Sequence, residues 1–408
     1  MMQRISRHDV AALDNQDLRS ANESVVLNLI RERQPISRAD LARLTQLQES
    51  TICSIVKALI EEDLVCEAAL GGSSGGRRPT MLRIRADRSI VIGVDLGYPE
   101  TTIGVSRFNG EIVYKRKFRI RQDPLHGQIQ LADEIRRVLK SRVPPEVRVE
   151  GIGISVPGVI EPREGRIIYS SVLDWHDVAL GDALRQRLDQ ELIFEESVRA
   201  AGIAEIWFGS LGTLKEYHVV NVLVKQGLGA ALIVGGHLYR GANLGAGQFG
   251  HVSLDPNGPP CGCGNRGCWE RYVCDSVTVE RYLLSVGGRQ AGRPPTVAEL
   301  AAKASEGDQA AAEALRETAR YLGMGLAILV NGLNPEVILI DGEISQAWDL
   351  IEPELRQALE PRCLSTNLKT LQLRPSTLQN PCLMGAISLV LWRRFNRPRR
   401  ALPAAIGI

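Results

Sequence analysis

Apolar residues recur at helical spacing in three segments near the amino end of the chain. The first helix is predicted to end near Arg33, because Pro35 disfavours helical geometry in the residue before it. The second helix is predicted to begin after Ser37, whose hydroxyl can cap its first turn. The third is predicted to extend from about residue 48 to residue 62 and to carry polar residues on its outer face. The apolar positions of the three helices are Val25, Val26, Leu29 and Ile30, then Leu41 and Leu44, then Ile52, Ile55, Val56, Leu59 and Ile60.

Two short strands joined by a glycine- and serine-rich tip follow the third helix. The strands are predicted at residues 64–67 and 81–85, and Arg77 and Arg78 lie at the edge of the tip. Two helices joined by a tight turn and followed by such a hairpin are typical of a winged helix-turn-helix, whose second helix enters the major groove of DNA. Residues 1–88 are therefore predicted to bind DNA. The alternative is a small three-helix interaction module with a solvated basic hairpin.

The candidate DNA contacts lie at the cap of the second helix, on the polar face of the third helix and on the wing. Polar side chains on a recognition helix can hydrogen-bond to base edges, whereas arginines of a wing can neutralise phosphates or enter a narrow minor groove. The predicted DNA-binding residues are Ser37, Arg38, Gln48, Glu49, Ser50, Thr51, Ser54, Lys57, Arg77 and Arg78.

Beyond the wing, strands and helices alternate. A buried strand at 90–97 is followed by two strands joined by an Asn-Gly dipeptide at 109–110, the pair favoured in two-residue hairpin turns. The Gly-x-Gly at 227–229 lies between predicted strands at 221–224 and 230–234, so it presents no helix amino terminus to a pyrophosphate. These patterns predict an α/β body and exclude the dinucleotide-binding fold.

Composition limits the class of protein. The 408 residues exceed the length at which a single hydrophobic core keeps growing, so two or three domains are expected. The net charge of +2 neither indicates nor excludes a nucleic-acid partner, so that inference depends on the local pattern near the amino end. The first residues contain no apolar core of signal-peptide length, and no apolar run is long enough to span a bilayer. We therefore expect a cytoplasmic protein without a membrane partner.

One histidine and three cysteines converge within a single glycine-rich segment. His251, Cys261, Cys263 and Cys268 supply the Cys₃His set that Zn²⁺ takes in structural sites, and four protein ligands leave no position for a catalytic water. Glycines between the cysteines allow the tight turns that such close ligands need. The segment therefore predicts a structural zinc ion. A disulfide or chance clustering are the alternatives, and nothing in the sequence marks the chain as secreted.

The chain resembles repressor-type members of the ROK family, which unites sugar-responsive repressors and sugar kinases. The resemblance rests on the wing through Pro79, on the run 239–251, on the cysteine segment that ends at Glu270, and on 331–340. It implies an actin-like, ribonuclease-H-like α/β body with two lobes and a cleft between them. The implied divisions are 1–88 for the DNA-binding domain, 89–200 for the first lobe with a returning helix at about 385–394, 201–384 for the second lobe, and 395–408 for a basic tail.

The same resemblance indicates where a kinase site has changed. Kinases of the family carry an Asn-Asp pair, whose Asp acts as the base toward the sugar hydroxyl, at the positions of Glu196 and Ser197. Serine cannot replace that base, and a neighbouring glutamate points in a different direction. After Asp95-x-Gly the chain continues with Tyr98 and a Pro-Glu pair, where the kinases have a Gly-Thr-Lys-like phosphate loop. We therefore expect no kinase activity, no catalytic residue and no nucleotide cofactor.

The resemblance also implies a carbohydrate site. In relatives the zinc-ligating histidine offers its other ring nitrogen to the sugar, while glutamates before it and just after the last cysteine accept sugar hydroxyls. His251 and Glu270 match this pattern, and Gln248 replaces the earlier glutamate with a group that both donates and accepts. Zinc would fix His251 and the loop that bears Glu270. The candidate effector-binding residues are Glu196, Ser197, Gln248, His251 and Glu270.

Together these features predict a DNA-binding transcription regulator, in the first place a repressor, that acts as a homodimer or tetramer. Its carbohydrate-like effector would bind between the lobes, reorient the paired winged helices and spoil their match to the two half-sites of a double-stranded DNA operator. Two alternatives stay open: a sugar kinase with a regulatory DNA-binding module, and a DNA-binding regulator that responds to no effector.

Overall fold

The structure is a computed structural model that describes residues 15–70, 79–209, 218–288 and 293–396. The described chain forms a small amino-terminal domain and an α/β body with two five-stranded sheets. Arg77 and Arg78 of the predicted DNA-binding set lie outside the described residues, as do residues 397–408 of the predicted basic tail.

The amino-terminal domain contains three helices and a small antiparallel sheet in the order predicted for a winged helix-turn-helix. Its elements are α1 (Asn15–Arg33), β1 (Ile36–Ser37), α2 (Arg38–Thr45), α3 (Glu49–Glu61), β2 (Val65–Leu70) and β3 (Thr80–Ile84). Helix α2 begins directly after Ser37, as predicted, and the bounds of α3 agree with the prediction to within one residue. Helix α1 begins earlier than its apolar repeat indicates, and the two-residue strand β1, which pairs with β3, was not predicted.

Local chemistry explains how α2 and α3 meet. The Ser37 hydroxyl accepts a hydrogen bond from the Asp40 amide at 3.1 Å and so caps α2. Helix α2 ends at Gln46, whose φ of 58° lies in the left-handed region and turns the chain toward α3. The apolar side of α3 is buried against α1 and α2, which leaves its polar side facing outward.

The first lobe of the body is a five-stranded mixed sheet with helices and a small three-stranded sheet (β8, β9 and β10) beside it. Its elements are β4 (Ser89–Asp95), β5 (Glu100–Arg107), β6 (Ile112–Arg119), α4 (Pro124–Arg142), β7 (Arg148–Val156), β8 (Val159–Glu161), β9 (Arg166–Ser170), β10 (Trp175–Val178), α5 (Leu180–Arg185), β11 (Leu192–Glu196) and α6 (Ser197–Phe208). The predicted hairpin of β5 and β6 is confirmed, and Gly110 in its turn has a φ of 90°.

The second lobe contains the other five-stranded sheet, the cysteine segment and six of the thirteen α-helices of the described chain. Its elements are β12 (Val219–Val224), β13 (Leu228–Val234), β14 (His237–Tyr239), α7 (Glu270–Val273), α8 (Asp275–Ser285), α9 (Val297–Ser305), α10 (Gln309–Leu333), β15 (Val337–Asp341), α11 (Trp348–Leu359), α12 (Ser365–Leu368) and β16 (Gln372–Pro375). Short 3₁₀ turns lie at Phe249–His251, Glu343–Ala347 and Glu360–Arg362. The long helix α10 packs along α11 over this sheet.

The two large sheets repeat one topology. In the first lobe the strand order is β6-β5-β4-β7-β11, and in the second it is β14-β13-β12-β15-β16. In each lobe the first three strands along the chain pair antiparallel with one another. The fourth strand pairs parallel with the first, and the fifth pairs parallel with the fourth. The duplicated pattern agrees with the actin-like, ribonuclease-H-like fold that the sequence predicts. The equivalent strands β4 and β12 therefore end at corresponding places in the two lobes.

The last helix, α13 (Pro381–Phe395), returns to the first lobe and packs on β4, β7 and α6. The approach is close, because a Cβ atom added to Gly153 would lie 1.8 Å from the carbonyl oxygen of Ala386. A Cβ atom added to Gly385 would likewise lie 2.3 Å from the backbone of Ala200 on α6. The predicted boundary between residues 200 and 201 falls inside α6, a continuous helix that also packs on β12 and β13 of the second lobe.

The amino-terminal domain docks on the body through a shared apolar core. Phe395 at the end of α13 stacks on Phe108 at 5.2 Å and meets the edge of Trp207 at 5.2 Å between ring centroids. The guanidinium of Arg31 on α1 lies 4.3 Å from the centre of the Trp207 ring. The end of α6 therefore touches the DNA-binding candidate directly.

Candidate effector, metal and DNA sites

The predicted metal ligands come together in the second lobe. One ligand atom each of His251, Cys261, Cys263 and Cys268 lies within 4.8 Å of the other three. The Cys263 and Cys268 sulfurs are 3.6 Å apart, and the Cys261 sulfur is 3.7 Å from His251 Nδ1. A tetrahedral zinc ion with ordinary bond lengths places two sulfurs roughly 3.8 Å apart and a sulfur and a nitrogen roughly 3.6 Å apart. The cluster can therefore hold one tetrahedral metal ion.

Tight backbone turns produce this convergence. The amide of Cys261 donates to the Asn265 carbonyl at 2.9 Å, which closes a short loop around Cys263. Gly267 has a φ of 63°, and a side chain there would meet the Asp255 carbonyl oxygen at 1.7 Å. Glycine is thus required immediately before Cys268.

The effector candidates of the second lobe surround this cluster. His251 ends a 3₁₀ turn that begins one residue after Gln248, and its Nδ1 faces the sulfurs, so that Nε2 points away from the metal position. Glu270 begins α7, and its Oε1 lies 3.4 Å from His251 Nδ1 and 3.1 Å from the Cys261 sulfur. The neighbouring Trp269 is buried in the core, with its indole N–H donating to the Tyr321 carbonyl at 3.0 Å.

The effector candidates of the first lobe lie at the start of α6. The Glu196 carboxylate accepts hydrogen bonds from the amides of Val198 and Arg199 at 2.9 and 3.0 Å and so caps the helix. Burial raises the pKa of this carboxyl above its ordinary value, although the Arg199 guanidinium and the two amides act in the opposite direction. The Ser197 hydroxyl accepts a hydrogen bond from the Ser155 hydroxyl on β7 at 3.0 Å, and both serines are buried.

A buried charge cluster next to these residues was not predicted. The Glu195 carboxylate accepts from Arg199 Nε at 2.7 Å and, through its other oxygen, from Arg240 Nη2 at 2.8 Å. Arg199 Nη1 also donates to the Leu244 carbonyl at 2.9 Å, in the loop that leads to Gln248. Burial disfavours the charged form of Glu195, but the two guanidinium groups outweigh it and hold the pKa of this carboxyl below its ordinary value. The cluster joins the first lobe to the second.

A second contact between the lobes occupies the place where β4 and β12 end. Lys225 Nζ, just after β12, lies 3.6 Å from a carboxylate oxygen of Asp95, the first residue of the Asp-x-Gly segment. Two carboxyls lie near this lysine, one buried (Asp341) and one partly buried (Asp275). Burial raises the pKa of Asp341 to about 6 and that of Asp275 to about 7. The Gly-x-Gly that follows Lys225 lies at the turn of an antiparallel hairpin, as the sequence predicts.

The DNA candidates fall into two groups by exposure. Gln48, Glu49, Ser50, Ser54 and Lys57 are exposed on or just before α3, and Thr51 is partly exposed. Ser37 is only 5 % exposed, and its hydroxyl is engaged with Asp40. Arg38 forms an ion pair with Glu67 of β2 at 2.8 Å.

Sequence reasoning missed the roles of Arg199, Arg240 and Lys225. Arg199 carried a signal, because a charged residue in a mainly apolar, alanine-rich helix needs a partner where it is buried. Nothing local marked Arg240 or Lys225, whose partners are distant in sequence. Within the described part of the chain, no helix is both long and apolar enough to cross a membrane.

Comparison with known proteins places these features in a family. The sequence pattern of the ROK family matches residues 91–393. A putative xylose repressor from Caldicellulosiruptor sp. (strain Rt8B.4) is 31% identical over 385 residues, which are 92% of this chain and 96% of that protein. A crystal structure of a ROK family transcriptional regulator, described as a homologue of the E. coli MLC protein, shares 26% identity and a TM-score of 0.78 over 93% of this chain and 97% of its own.

A ROK family glucokinase from Streptomyces griseus, solved with glucose and AMPPNP, has 27% identity and a TM-score of 0.64. It covers 74% of this chain and 98% of its own, so the likeness to this kinase spans less of the chain than the likeness to the regulator. The body of the chain therefore has the fold that regulators and sugar kinases of one family share. On the family match and on the likeness to the repressor over nearly the whole length, the chain belongs to the ROK family.

Proposed function

We propose that this protein is a cytoplasmic DNA-binding transcription regulator, a repressor, whose body binds a carbohydrate-like effector. The observation that carries the proposal is an amino-terminal helix-turn-helix with a strand pair, docked on a two-lobed body of the regulator type. The relatives that match over more than nine tenths of the chain and are named xylose repressors support it.

The outer face of α3 is the surface that reads the operator. Ser50 and Ser54 are exposed side chains that can donate to and accept from base edges, and Lys57 can neutralise a phosphate. Ser37 supports this surface indirectly: its hydroxyl accepts from the Asp40 amide and so caps α2. Arg77 and Arg78 extend the contact to the backbone or the minor groove. Two copies of the chain would present two such surfaces to two half-sites.

The effector binds in the cleft between the start of α6 and the metal cluster. Glu196 and Ser197 contribute from the first lobe, and Gln248, His251 and Glu270 contribute from the second. Zinc in the cluster holds the His251 ring by Nδ1 and leaves Nε2 for a ligand hydroxyl. The proposed role of the metal is structural, because four protein ligands would leave no position for a catalytic water.

Helix α6 connects the effector site to the DNA-binding domain. Its first turn carries Ser197, and its last turn carries Trp207, which packs on Phe395 and under the guanidinium of Arg31. An effector that shifts the start of the helix therefore shifts the surface on which α1 rests. This contact provides a physical route by which a ligand changes the spacing of two DNA-binding domains.

Two observations count against a kinase. No carboxylate next to Ser197 is free to act as a base, because Glu195 is held by two arginines and Glu196 caps α6. At the ends of β4 and β12, the Lys225 ammonium pairs with Asp95 at the position where family kinases bring the phosphates of ATP. The protein is therefore proposed to be a binding protein without phosphoryl-transfer activity.

The test is selection of genomic DNA fragments on the zinc-loaded, full-length protein at near-physiological salt, repeated for the strongest sites with sugars and sugar phosphates. A palindromic site that one compound releases supports the proposal, whereas only sequence-blind, salt-sensitive binding contradicts it. Changing Ser50 and Ser54 together to alanine should abolish the preference for the selected site. The matched control is K140A, which removes an exposed lysine from α4 and should leave operator affinity unchanged.

A further inference from the structure

Two arginines at the junction of the lobes, Arg199 buried and Arg240 with 22 % of its side chain exposed, have hydrogen-bonding capacity left over. Arg199 is 1 % exposed, and although its Nε and Nη1 are paired, its Nη2 has no partner among the described residues. Arg240 uses Nε and Nη2 on Glu195, and its buried Nη1 likewise lacks a partner within the part of the chain that the structure describes. Both guanidinium groups bind the same carboxylate, Arg199 at one oxygen and Arg240 at the other.

Their position coincides with the proposed effector site. Glu195 immediately precedes Glu196 and Ser197, the first-lobe half of the site. Arg199 also reaches the carbonyl of Leu244, whose loop leads directly to Gln248 in the second-lobe half. The free N–H groups are therefore located where the two halves of the site meet.

Buried polar groups of this kind normally have partners. Leaving a buried donor unpaired costs about 1–3 kcal/mol, and more when the group is charged. A guanidinium with a free N–H is matched best by a carboxylate or phosphate oxygen, which gives a short, charge-assisted hydrogen bond.

The local charge favours the same kind of ligand. Glu195 neutralises one of the two arginines, which leaves a single positive charge in the cluster. Glu196 is the other titratable neighbour on this segment, and its carboxyl is occupied in capping α6 through the amides of Val198 and Arg199. An uncompensated positive charge in a buried site attracts an anion.

We propose that the effector is an acidic carbohydrate, whose carboxylate or phosphate is held by Arg199 and Arg240. This inference deepens the proposed function and rests on the same cleft. It makes the two arginines specificity-determining residues, since a neutral sugar offers no anion to the free N–H groups.

The experiment is isothermal titration calorimetry of the zinc-loaded, full-length protein with acids and their neutral parents. The ligands are glucose, glucuronate and glucose 6-phosphate, xylose and xylonate, and N-acetylglucosamine with its 6-phosphate. We expect at least one acid to bind tenfold or more tightly than its parent. R240Q should weaken that acid at least tenfold while the parent sugar is unaffected. R293Q, which breaks an exposed pair with Glu299, is the matched control and should bind like the unaltered protein.

R199K tests the deeper arginine, since lysine keeps the charge but not the forked donor. It too should weaken the acid more than the parent, and if R199K does not fold, R240Q alone decides the test. Preference for the glucuronate or xylonate identifies a carboxylate ligand, and preference for the sugar phosphates identifies a phosphate ligand. The proposal is overturned if no acid binds more tightly than its parent, if none binds, or if R240Q weakens acids and parents equally. Operator binding by the same sample tests the regulator proposal separately. If the ligand test fails but the protein still selects a palindromic site, only the proposal of an acidic effector is contradicted.

Discussion

The contact between Arg31 and Trp207 should govern how firmly the DNA-binding domain is held to the body. The Arg31 guanidinium lies 4.3 Å from the ring centre and is mostly buried, a geometry that contributes about 0.5–2 kcal/mol. The edge contact of Trp207 with Phe395 contributes about 0.5–1.5 kcal/mol more. Replacing Trp207 with leucine keeps an apolar side chain but removes both the cation–π contact and the aromatic edge contact. W207L should therefore weaken docking of the amino-terminal domain by roughly 1–3 kcal/mol.

The assay is calorimetric unfolding combined with a double-mutant cycle. We measure the unaltered protein, W207L, R31M and the double variant, and we expect a coupling energy of about 0.5–2 kcal/mol between the two sites. We also expect the amino-terminal domain to unfold at a lower temperature than the body in W207L, so that one transition becomes two. Effector release of the operator should weaken in the same variant, because α6 no longer holds α1.

Y114L provides a matched control. Arg142 lies 4.5 Å from the Tyr114 ring on the first lobe, so the variant removes a similar contact that involves neither α1 nor α6. It should lower the stability of the body and leave the response to effector intact. Additive effects of W207L and R31M, within about 0.3–0.5 kcal/mol, would refute the coupling, as would an identical loss of effector response in Y114L.

The other predictions concern the metal, the helix cap, a buried carboxyl and catalysis. Metal analysis should find one zinc ion per chain; chelation and C268S should lower the unfolding temperature, whereas C274S, outside the cluster, should retain the metal. S37A should destabilise the amino-terminal domain by about 1 kcal/mol in urea unfolding, because the amide of Asp40 loses its cap, and an unchanged midpoint would contradict this role. Burial raises the pKa of Glu205 from 4.5 to about 7, so the folded chain keeps a proton that the unfolded chain releases, and stability should fall as pH rises from 4.5 toward 7. Between pH 5 and pH 8 this carboxyl should lower the free energy of unfolding by at most about 3 kcal/mol, and E205Q should remove that decrease. An unchanged pH dependence in E205Q would show that another group is responsible. A coupled assay should detect no ATP turnover with any sugar that binds, and turnover dependent on Glu196 would favour the kinase.

The features predicted best from the sequence are those in which the interacting residues are close along the chain. The cap of α2 joins positions three apart, and the cluster from Cys261 to Cys268 lies in one loop whose glycines permit its turns. Periodicity in α3 was equally informative, since one face of the helix is buried and the other polar. In each case the short-range chemistry determines the geometry almost alone.

The features that could not be predicted depend on segments that only the tertiary fold brings together. Arg240 meets Glu195 across the lobes, 45 positions away in sequence, and Lys225 meets Asp95 from the equivalent strand of the other lobe. Neither basic residue has a local pattern that sets it apart from a solvated charge. The docking of α1 on Trp207 is similar, because a tryptophan in an apolar helix packs as readily in a core as at a domain junction.

Helix α6 lies between the two lobes and the amino-terminal domain. The resemblance to the family's kinases implies that their base lies at the start of this helix, whereas here Ser197 and Arg199 are buried there and bond to Ser155 and Glu195. The helix is twelve residues long and spans about 18 Å, so it transmits a displacement with little bending. A Cβ atom added to Gly202 would lie 2.6 Å from the Cβ of Ala231 on β13, and one added to Gly385 of α13 would lie 2.3 Å from the backbone of Ala200, so α6 is closely packed on both sides. Any rotation of the second lobe on β13 must therefore move α6, and with it the aromatic surface under α1. A base is unnecessary for that movement; a ligand that grips both lobes is sufficient.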